Sequence, residues 1–397
     1  MTEKLKRHIR PLIARDRHEP HRAATQLELL FDLVIVIAIA AAAHGLAHEI
    51  AADHLGAGLV KFVMAFLAIW WPWNLFTWFA TSFDNDDAIY RINVMVMMFG
   101  ALFVAANLPV FFEKDELTYT FVGYVIMRLA FAVLWLRVGI ANAGYRVTAA
   151  RYALGQIVLQ GAWAIVIFVL VPNSPLFFAL YALSILAELW LPWYAEQAAN
   201  TPWHRHHVIE RFGLLNIIVL GEVILGSANA LQTEFEQGLN GELFSIAVCA
   251  AVTAFSMWWL YFCEEEHLAT IEVKRAFIWG YGHFLVFGAG AAVGAGLDAM
   301  VEAVAEQHGS LAIAGFTVAM AIALYIVGLW IVRDRYALHE PHGLMLLFFA
   351  TIIALSGFLP YPPIPATVLL VICLVIRLWS RKRLQVEPRT LEPPFSR

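Results

Sequence analysis

Apolar residues recur along this chain in blocks of about 18 to 28, separated by short polar joints, and about 20 apolar residues is the length a helix needs to cross a bilayer. In lipid every backbone N–H and C=O must be satisfied within the chain, so blocks of this length read as helices. Composition points the same way. Of the residues, 61% are hydrophobic and 14% charged, whereas a soluble domain carries about 25% charged residues, and the mean hydropathy is +0.70. The expectation is an all-α integral membrane protein of about twelve transmembrane helices. The spans expected are 27–48, 59–80, 89–111, 120–138, 152–171, 176–196, 208–230, 241–262, 276–303, 311–332, 342–359 and 364–380. The basic stretch before the first block, followed by Ala41-Ala42-Ala43, has the outline of a secretory signal. Glu28 and Asp32 interrupt that run, and it is long enough to span, so it reads as an uncleaved first helix.

Orientation follows from the basic residues. With the N-terminus inside, 23 of the 26 Lys and Arg fall on the cytoplasmic side, and the positive-inside rule then places both termini in the cytoplasm. The basic residues form no nucleic-acid face. Cys249, Cys263 and Cys373 lie in or beside apolar blocks without metal or disulfide spacing, as small core residues do. Trp78, Trp190, Trp193, Trp258, Trp259 and Trp379 fall toward the inner ends of their spans, where tryptophan anchors helices at the interface.

The chain also reads as one six-helix unit written twice. Trp70-Trp71 is matched by Trp258-Trp259, and each pair precedes an acidic joint, Asp84-Asn85-Asp86-Asp87 or Glu264-Glu265-Glu266. From Trp71 to the hairpin opened by Pro172 is 101 residues, and from Trp259 to the hairpin opened by Pro360 is also 101. An even helix number gives two parallel repeats, related by an axis along the membrane normal. The expected organisation is a basic cytoplasmic segment at 1–26, repeats at 27–196 and 197–380, and a cytoplasmic tail at 381–397.

Asp32, Arg128, Glu188, Glu222, His283 and Asp298 fall inside these spans, although a charge at the bilayer centre costs roughly 2.5–3.5 kcal/mol on the lenient insertion scale. Such residues must pair, lose charge or line a wet path. Arg128 and Glu222 both fall near the midplane and are expected to pair across helices. Glu28 and Asp32 share a face of the first helix. They form either a proton-accepting pair or a capped helix start with Asp32 bonded to a neighbouring helix. Glu188 and its repeat counterpart Arg377 suggest a cross-repeat ion pair or two contacts with the interface. His206, His207 and Glu210 have ligand spacing, but no further metal ligand is evident. No cofactor or metal is called for.

The motifs Glu28-Leu29-Leu30-Phe31-Asp32-Leu33-Val34, Phe83-Asp84-Asn85-Asp86-Asp87 with Arg91, and Glu210-Arg211-Phe212-Gly213 with Ile218-Val219-Leu220-Gly221-Glu222 resemble the bacterial low temperature requirement protein A family. Trp258-Trp259-Leu260-Tyr261-Phe262 and Tyr281-Gly282-His283 fit it too, and the resemblance runs from about residue 18 to 380. It implies a multi-pass protein of the bacterial inner membrane and highlights Asp32, Glu210, Arg211, Glu222 and His283. Two departures are Ala40-Ala41, where the family often has Thr-Gln, and Val223, where it often has Ser. The leading expectation is a secondary transporter or proton-linked permease for a proton, small ion or solute. Its pathway residues would be Glu28, Asp32, Arg128, Glu210, Arg211, Glu222, His283 and Asp298. The alternatives are a membrane scaffold or envelope and lipid adaptation factor, and an intramembrane enzyme acting on lipid.

Overall fold

The computed structural model describes residues 10–386, apart from 18, 20–21, 238–240, 265–267, 269–271 and 338–341 and the side chains of 237, 273, 337, 342 and 381–386. Glu265 and Glu266 of the second acidic joint, Lys4, Lys6 and Arg7 of the N-terminal segment, and the tail beyond 386 lie outside the described residues. Helices make up the fold, and there is no strand among the described residues. The first six are α1 Gln26–Ala51, α2 Leu55–Phe83, α3 Ala88–Lys114, α4 Thr118–Ala141, α5 Arg146–Phe168 and α6 Pro175–Glu196. The next six are α7 Arg205–Gln237, α8 Glu242–Phe262, α9 Val273–Ala305, α10 Leu311–Leu329, α11 Met345–Ser356 and α12 Pro363–Val386. A π-helical turn, Trp330–Asp334, continues α10.

Local chemistry sets the helix starts. Thr25 and Glu28 close a reciprocal capping box on α1, with Thr25 N–H donating to Glu28 at 2.7 Å and Glu28 N–H to Thr25 at 3.2 Å. Asp87 caps α3 by accepting from Tyr90 N–H at 2.7 Å, and Ser174 caps α6 just before Pro175. Asn173, in the hairpin 172–175, is left-handed with φ of 60°, a conformation Asn tolerates better than most residues.

Packing has a six-helix rhythm. α1 lies on α2 and α3, α3 on α4, α4 on α5 and α5 on α6. α7 likewise lies on α8 and α9, α9 on α10, α10 on α11 and α11 on α12. Between the two sets, α1 and α2 meet α7 and α9. This placement separates the matched tryptophans. Trp70 and Trp71 are buried because α1, α4, α7 and α9 surround α2, while Trp258 and Trp259 on α8 are about half exposed. Trp190, Trp193 and Trp379 are also exposed on outer helix faces, but Trp78 is partly buried against Trp203.

Without a hydrophobic drive between helices in lipid, close backbone approach does much of the packing. Gly100 of α3 and Gly123 of α4 face each other, and a Cβ on either would lie 2.7 Å from the other's carbonyl oxygen. Gly100→Ala should therefore force α3 from α4 and cost about 1–3 kcal/mol, the usual range for overpacking. The check is a fall in Tm in detergent, and an unchanged Tm would show that the seam can open freely.

Among the described residues, ten helices are long and apolar enough to cross a membrane. The remaining two are α7, which has 33 residues but carries Glu210, Arg211, Asn216 and Glu222, and the 12-residue α11. At about 1.5 Å per residue, α11 is shorter than the ~30 Å hydrocarbon core. The described residues of segment 10–25 lie across the joints that follow α2, α4 and α6. Arg10 N–H donates to Asp87 at 2.9 Å, Ala14 N–H to Asn142 at 3.0 Å, and the Glu19 carbonyl meets the His204 ring at 2.8 Å. This side carries Arg10, Arg15, Arg22 and Arg137 and is called the basic face below.

Candidate functional site

Two buried charge centres stand out. The first lies between α1 and α7 at the basic face. One helical turn separates Glu28 from Asp32, so both point at α7, where Arg211 answers them. Arg211 grips Asp32 with two nitrogens, Nε at 3.0 Å and Nη2 at 2.5 Å, and its Nη1 is 3.1 Å from Glu28. Trp73 of α2 donates to Asp32 at 2.7 Å, and His207 lies 3.1 Å from Glu28. Glu28, Asp32, His207 and Arg211 are fully buried. Two-pronged Arg–carboxylate pairing is among the strongest hydrogen-bonding geometries. Of the two arrangements open for Glu28 and Asp32, the structure has the capped start with Asp32 bonded to a neighbouring helix. Glu210 points outward and accepts from Ala24 N–H at 3.3 Å, which ties segment 10–25 to α7.

Arg22 continues this network into the joint after α2, donating to the Ala80 carbonyl at 2.8 Å and lying 3.6 Å from Glu28 and 3.9 Å from Asp84. Burial, with the Glu28 charge nearby, pushes Asp84 up to about 6. The folded protein therefore holds a proton on Asp84 that the unfolded chain releases above its ordinary value of about 3.9, so this group's contribution to stability falls as pH rises through that window. Asp84→Asn should unfold at a higher temperature than the parent near pH 7.5, with the gap closing toward pH 5. A parent that is more stable near pH 7.5 would overturn this.

The second centre is in α4 and α6. Fully buried Arg128 donates Nη2 to Glu188 Oε2 at 2.6 Å. Trp71 Nε1 donates to the same carboxylate at 3.0 Å, Tyr124 Oη–H at 3.1 Å and Trp163 Nε1 at 3.4 Å. The expected pairing of Arg128 with Glu222 is thus incorrect. α4 packs on α2, α3 and α5, which turns Arg128 toward α6, whereas Glu222 on α7 faces α9. Glu188 and Arg377 do not pair across repeats either. Arg377 of α12 meets Asp334 at 3.1 Å and Glu264 at 3.3 Å, inside its own six-helix set.

Cavities approach Glu188 from one face and stop short of it from the other. On the face opposite the basic one, a cavity of about 540 Å3 opens between α2 and the joints after α3 and α5, lined by Lys61, Lys114, Asp115 and Asn173. It shares Met64, Phe111, Leu117 and Ile167 with a narrower cavity of about 50 Å3 whose walls include Trp71, Tyr124 and Glu188. From the basic face a cavity of about 70 Å3 reaches in between α2, α4, α5, α6 and α9. Each inner cavity exceeds the ~10–15 Å3 that one water needs. The Trp71 and Tyr281 rings, 5.4 Å apart and edge to face, lie between them, with Tyr281 Oη–H donating to the Leu189 carbonyl at 3.0 Å.

Glu222 and Asp298 form a third arrangement. The Cβ and backbone of Glu222 lie over Gly294 of α9, and the Asp298 carboxylate lies over Gly226 of α7, where the missing Cβ gives it room. Asn229 hydrogen-bonds Asp298, and the His44 ring acts on it electrostatically from α1. His283 is held on both ring nitrogens, by the Trp279 carbonyl at 2.8 Å and the Tyr261 hydroxyl at 3.0 Å. It is fully buried among Phe212, Trp279 and Phe287. That is the environment of a packed core histidine.

A sequence profile of the bacterial low temperature requirement A protein matches residues 23–379. The chain belongs to that family. It is a multi-pass bacterial membrane protein. It is also similar, at 24% identity over 285 residues, to a protein of Rhizobium meliloti (strain 1021) described as uncharacterized. That alignment takes in 66% of this chain and 65% of the relative, so the match spans just under two thirds of the relative's length. No solved structure matches the chain.

In this member of the low temperature requirement A family, the residues highlighted by the resemblance separate spatially. Asp32, Arg211 and the start of α7 make the closed network, His283 is core, and Glu222 joins Asp298. Glu188, Trp71, Trp163 and Glu196, which line the cavities, lie outside the expected pathway set, although Glu188 is among the charges expected within the spans. Glu188 was findable by depth. It lies 13 residues from the start of α6 and Arg128 lies 10 from the start of α4, so at about 1.5 Å per residue their levels differ by only ~5 Å.

Proposed function

We propose that this protein is a secondary transporter whose solute path runs through the first six-helix set, with the Glu188–Arg128 pair at its middle. The observation that carries the reading is that cavities from opposite faces approach one buried ion pair and are divided by two aromatic rings. A barrier made of side chains can alternate by small shifts of α6 against α2, opening one cavity as the other closes. Glu222 and Asp298, two interacting carboxylates at the α7–α9 contact, are the proton- or cation-binding pair that couples to this motion. In this reading the chain makes twelve crossings as two parallel six-helix repeats. The repeated neighbour pattern supports it, and the basic face is cytoplasmic at the inner membrane.

The test is uptake of a panel of labelled small solutes into proteoliposomes under an imposed pH gradient. Flux above that of empty vesicles is expected for the parent, with loss in Glu188→Gln and loss of the pH dependence in Glu222→Gln. Equal flux in all three would reject the path and the coupling site together. One observation favours a scaffold instead, namely that the α1–α7 network of Glu28, Asp32 and Arg211 is fully buried and paired within itself. In the transport reading this network is the fixed hinge against which the first six helices work.

A further inference from the structure

We infer that the cavity at the basic face is a recognition site for a small organic cation of the alkylammonium class, with Glu196 as its counter-charge. Of the fifteen described residues that line it, eight are aromatic, one is a carboxylate and none is Lys, Arg or His. Aromatic faces attract an ammonium through their ring quadrupole, and grouped tryptophan and tyrosine rings are the recurring means of holding alkylated ammonium groups. An anion would be repelled by Glu196, and a plain hydrocarbon would gain nothing from a carboxylate in its wall. The lining chemistry singles out a positive charge with an apolar coat.

Glu196 is held in place for this task. Its carboxylate accepts from Thr201 N–H at 2.7 Å, Thr201 Oγ1–H at 3.0 Å and Tyr152 Oη–H at 3.1 Å. The basic residues near by in sequence are turned elsewhere. Arg151 donates to the Tyr194 carbonyl at 2.8 Å and stacks on the Tyr194 ring, and Arg275 stacks on Tyr336 with its carbon 3.6 Å from the ring centre. Around the carboxylate, Trp78 and Trp203 meet edge to face at 5.3 Å, Trp135 stacks on Tyr152 at 4.0 Å, and Tyr281 closes the inner end toward Trp71. The volume of about 70 Å3 is several times the ~10–15 Å3 that one water needs, room for a small alkylammonium ion.

This assignment deepens the transport reading, naming its solute class, and rests on that reading for the claim that the cation crosses. Binding itself is tested without any flux. Purified full-length protein in detergent is titrated with tetramethylammonium chloride at constant ionic strength and read by tryptophan fluorescence and calorimetry. tert-Butanol serves as an uncharged probe with the same number of heavy atoms. Saturable tetramethylammonium binding is expected, with none for tert-butanol, and at least tenfold weakening in Glu196→Gln and in Trp203→Leu. Absent or non-saturable binding in the parent, equal binding of tert-butanol, or full retention in both variants would overturn the site. Because the charged and uncharged probes are compared on the parent protein, the result stands even if a variant fails to fold. Cation binding without flux would defeat the transport reading alone, and flux of other solutes without cation binding would defeat this inference alone.

Discussion

Arg128→Ala is expected to destabilise the protein by about 3–5 kcal/mol, the usual cost of leaving one member of a buried ion pair behind. The partner left behind is Glu188, whose remaining donors, Trp71, Tyr124 and Trp163, are neutral. Thermal unfolding in detergent reads the loss as a large fall in Tm. The double substitution Arg128→Met with Glu188→Leu should recover most of it, since replacing a whole buried pair by apolar side chains of similar volume is often near neutral. Under the transport reading, that recovered protein should show no flux. A single variant that shifts stability by less than ~0.5 kcal/mol, as a surface change does, would show that the pair is not the buried centre described above.

Arg211→Ala should be the more severe change, with little monodisperse protein surviving size-exclusion chromatography. Its removal strands two carboxylates, Asp32 and Glu28, both without exposure to solvent. Arg211→Lys should not rescue it. One ammonium cannot reproduce the two parallel bonds to Asp32 and also reach Glu28, because the three contacts use the breadth of a planar guanidinium. Parent-like yield and Tm in the Lys variant would remove the two-pronged geometry from the account.

Much of the architecture was legible because helix length and joint chemistry are local. The capping box at Thr25 and Glu28 and the Pro-flanked hairpin at 172–175 are written in a few adjacent residues, and the helices begin where those residues stand. Partner choice was not legible. Depth alone allows Arg128 to meet Glu222 or Glu188, and only the lateral arrangement of helices, which places α4 beside α2 and α5, decides between them. The contrast between buried Trp71 and exposed Trp259 has the same origin. Matched sequence positions differ in environment when one helix lies between the two sets and the other lies outside. Val223, where the family often has Ser, is fully buried and makes no polar contact of its own.

The segment 10–25 has a bearing on how the chain assembles. It is made ahead of the helices it touches, yet its contacts at Asp87, Asn142 and His204 follow one another along the chain and span three hairpins. Domains generally mature from the N-terminus during synthesis, but here a segment made before the helices cannot finish docking until the sixth helix has been threaded and turned back. The segment acts as a latch that is made first and fastened last, so it locks the first six helices in place only when all of them are present.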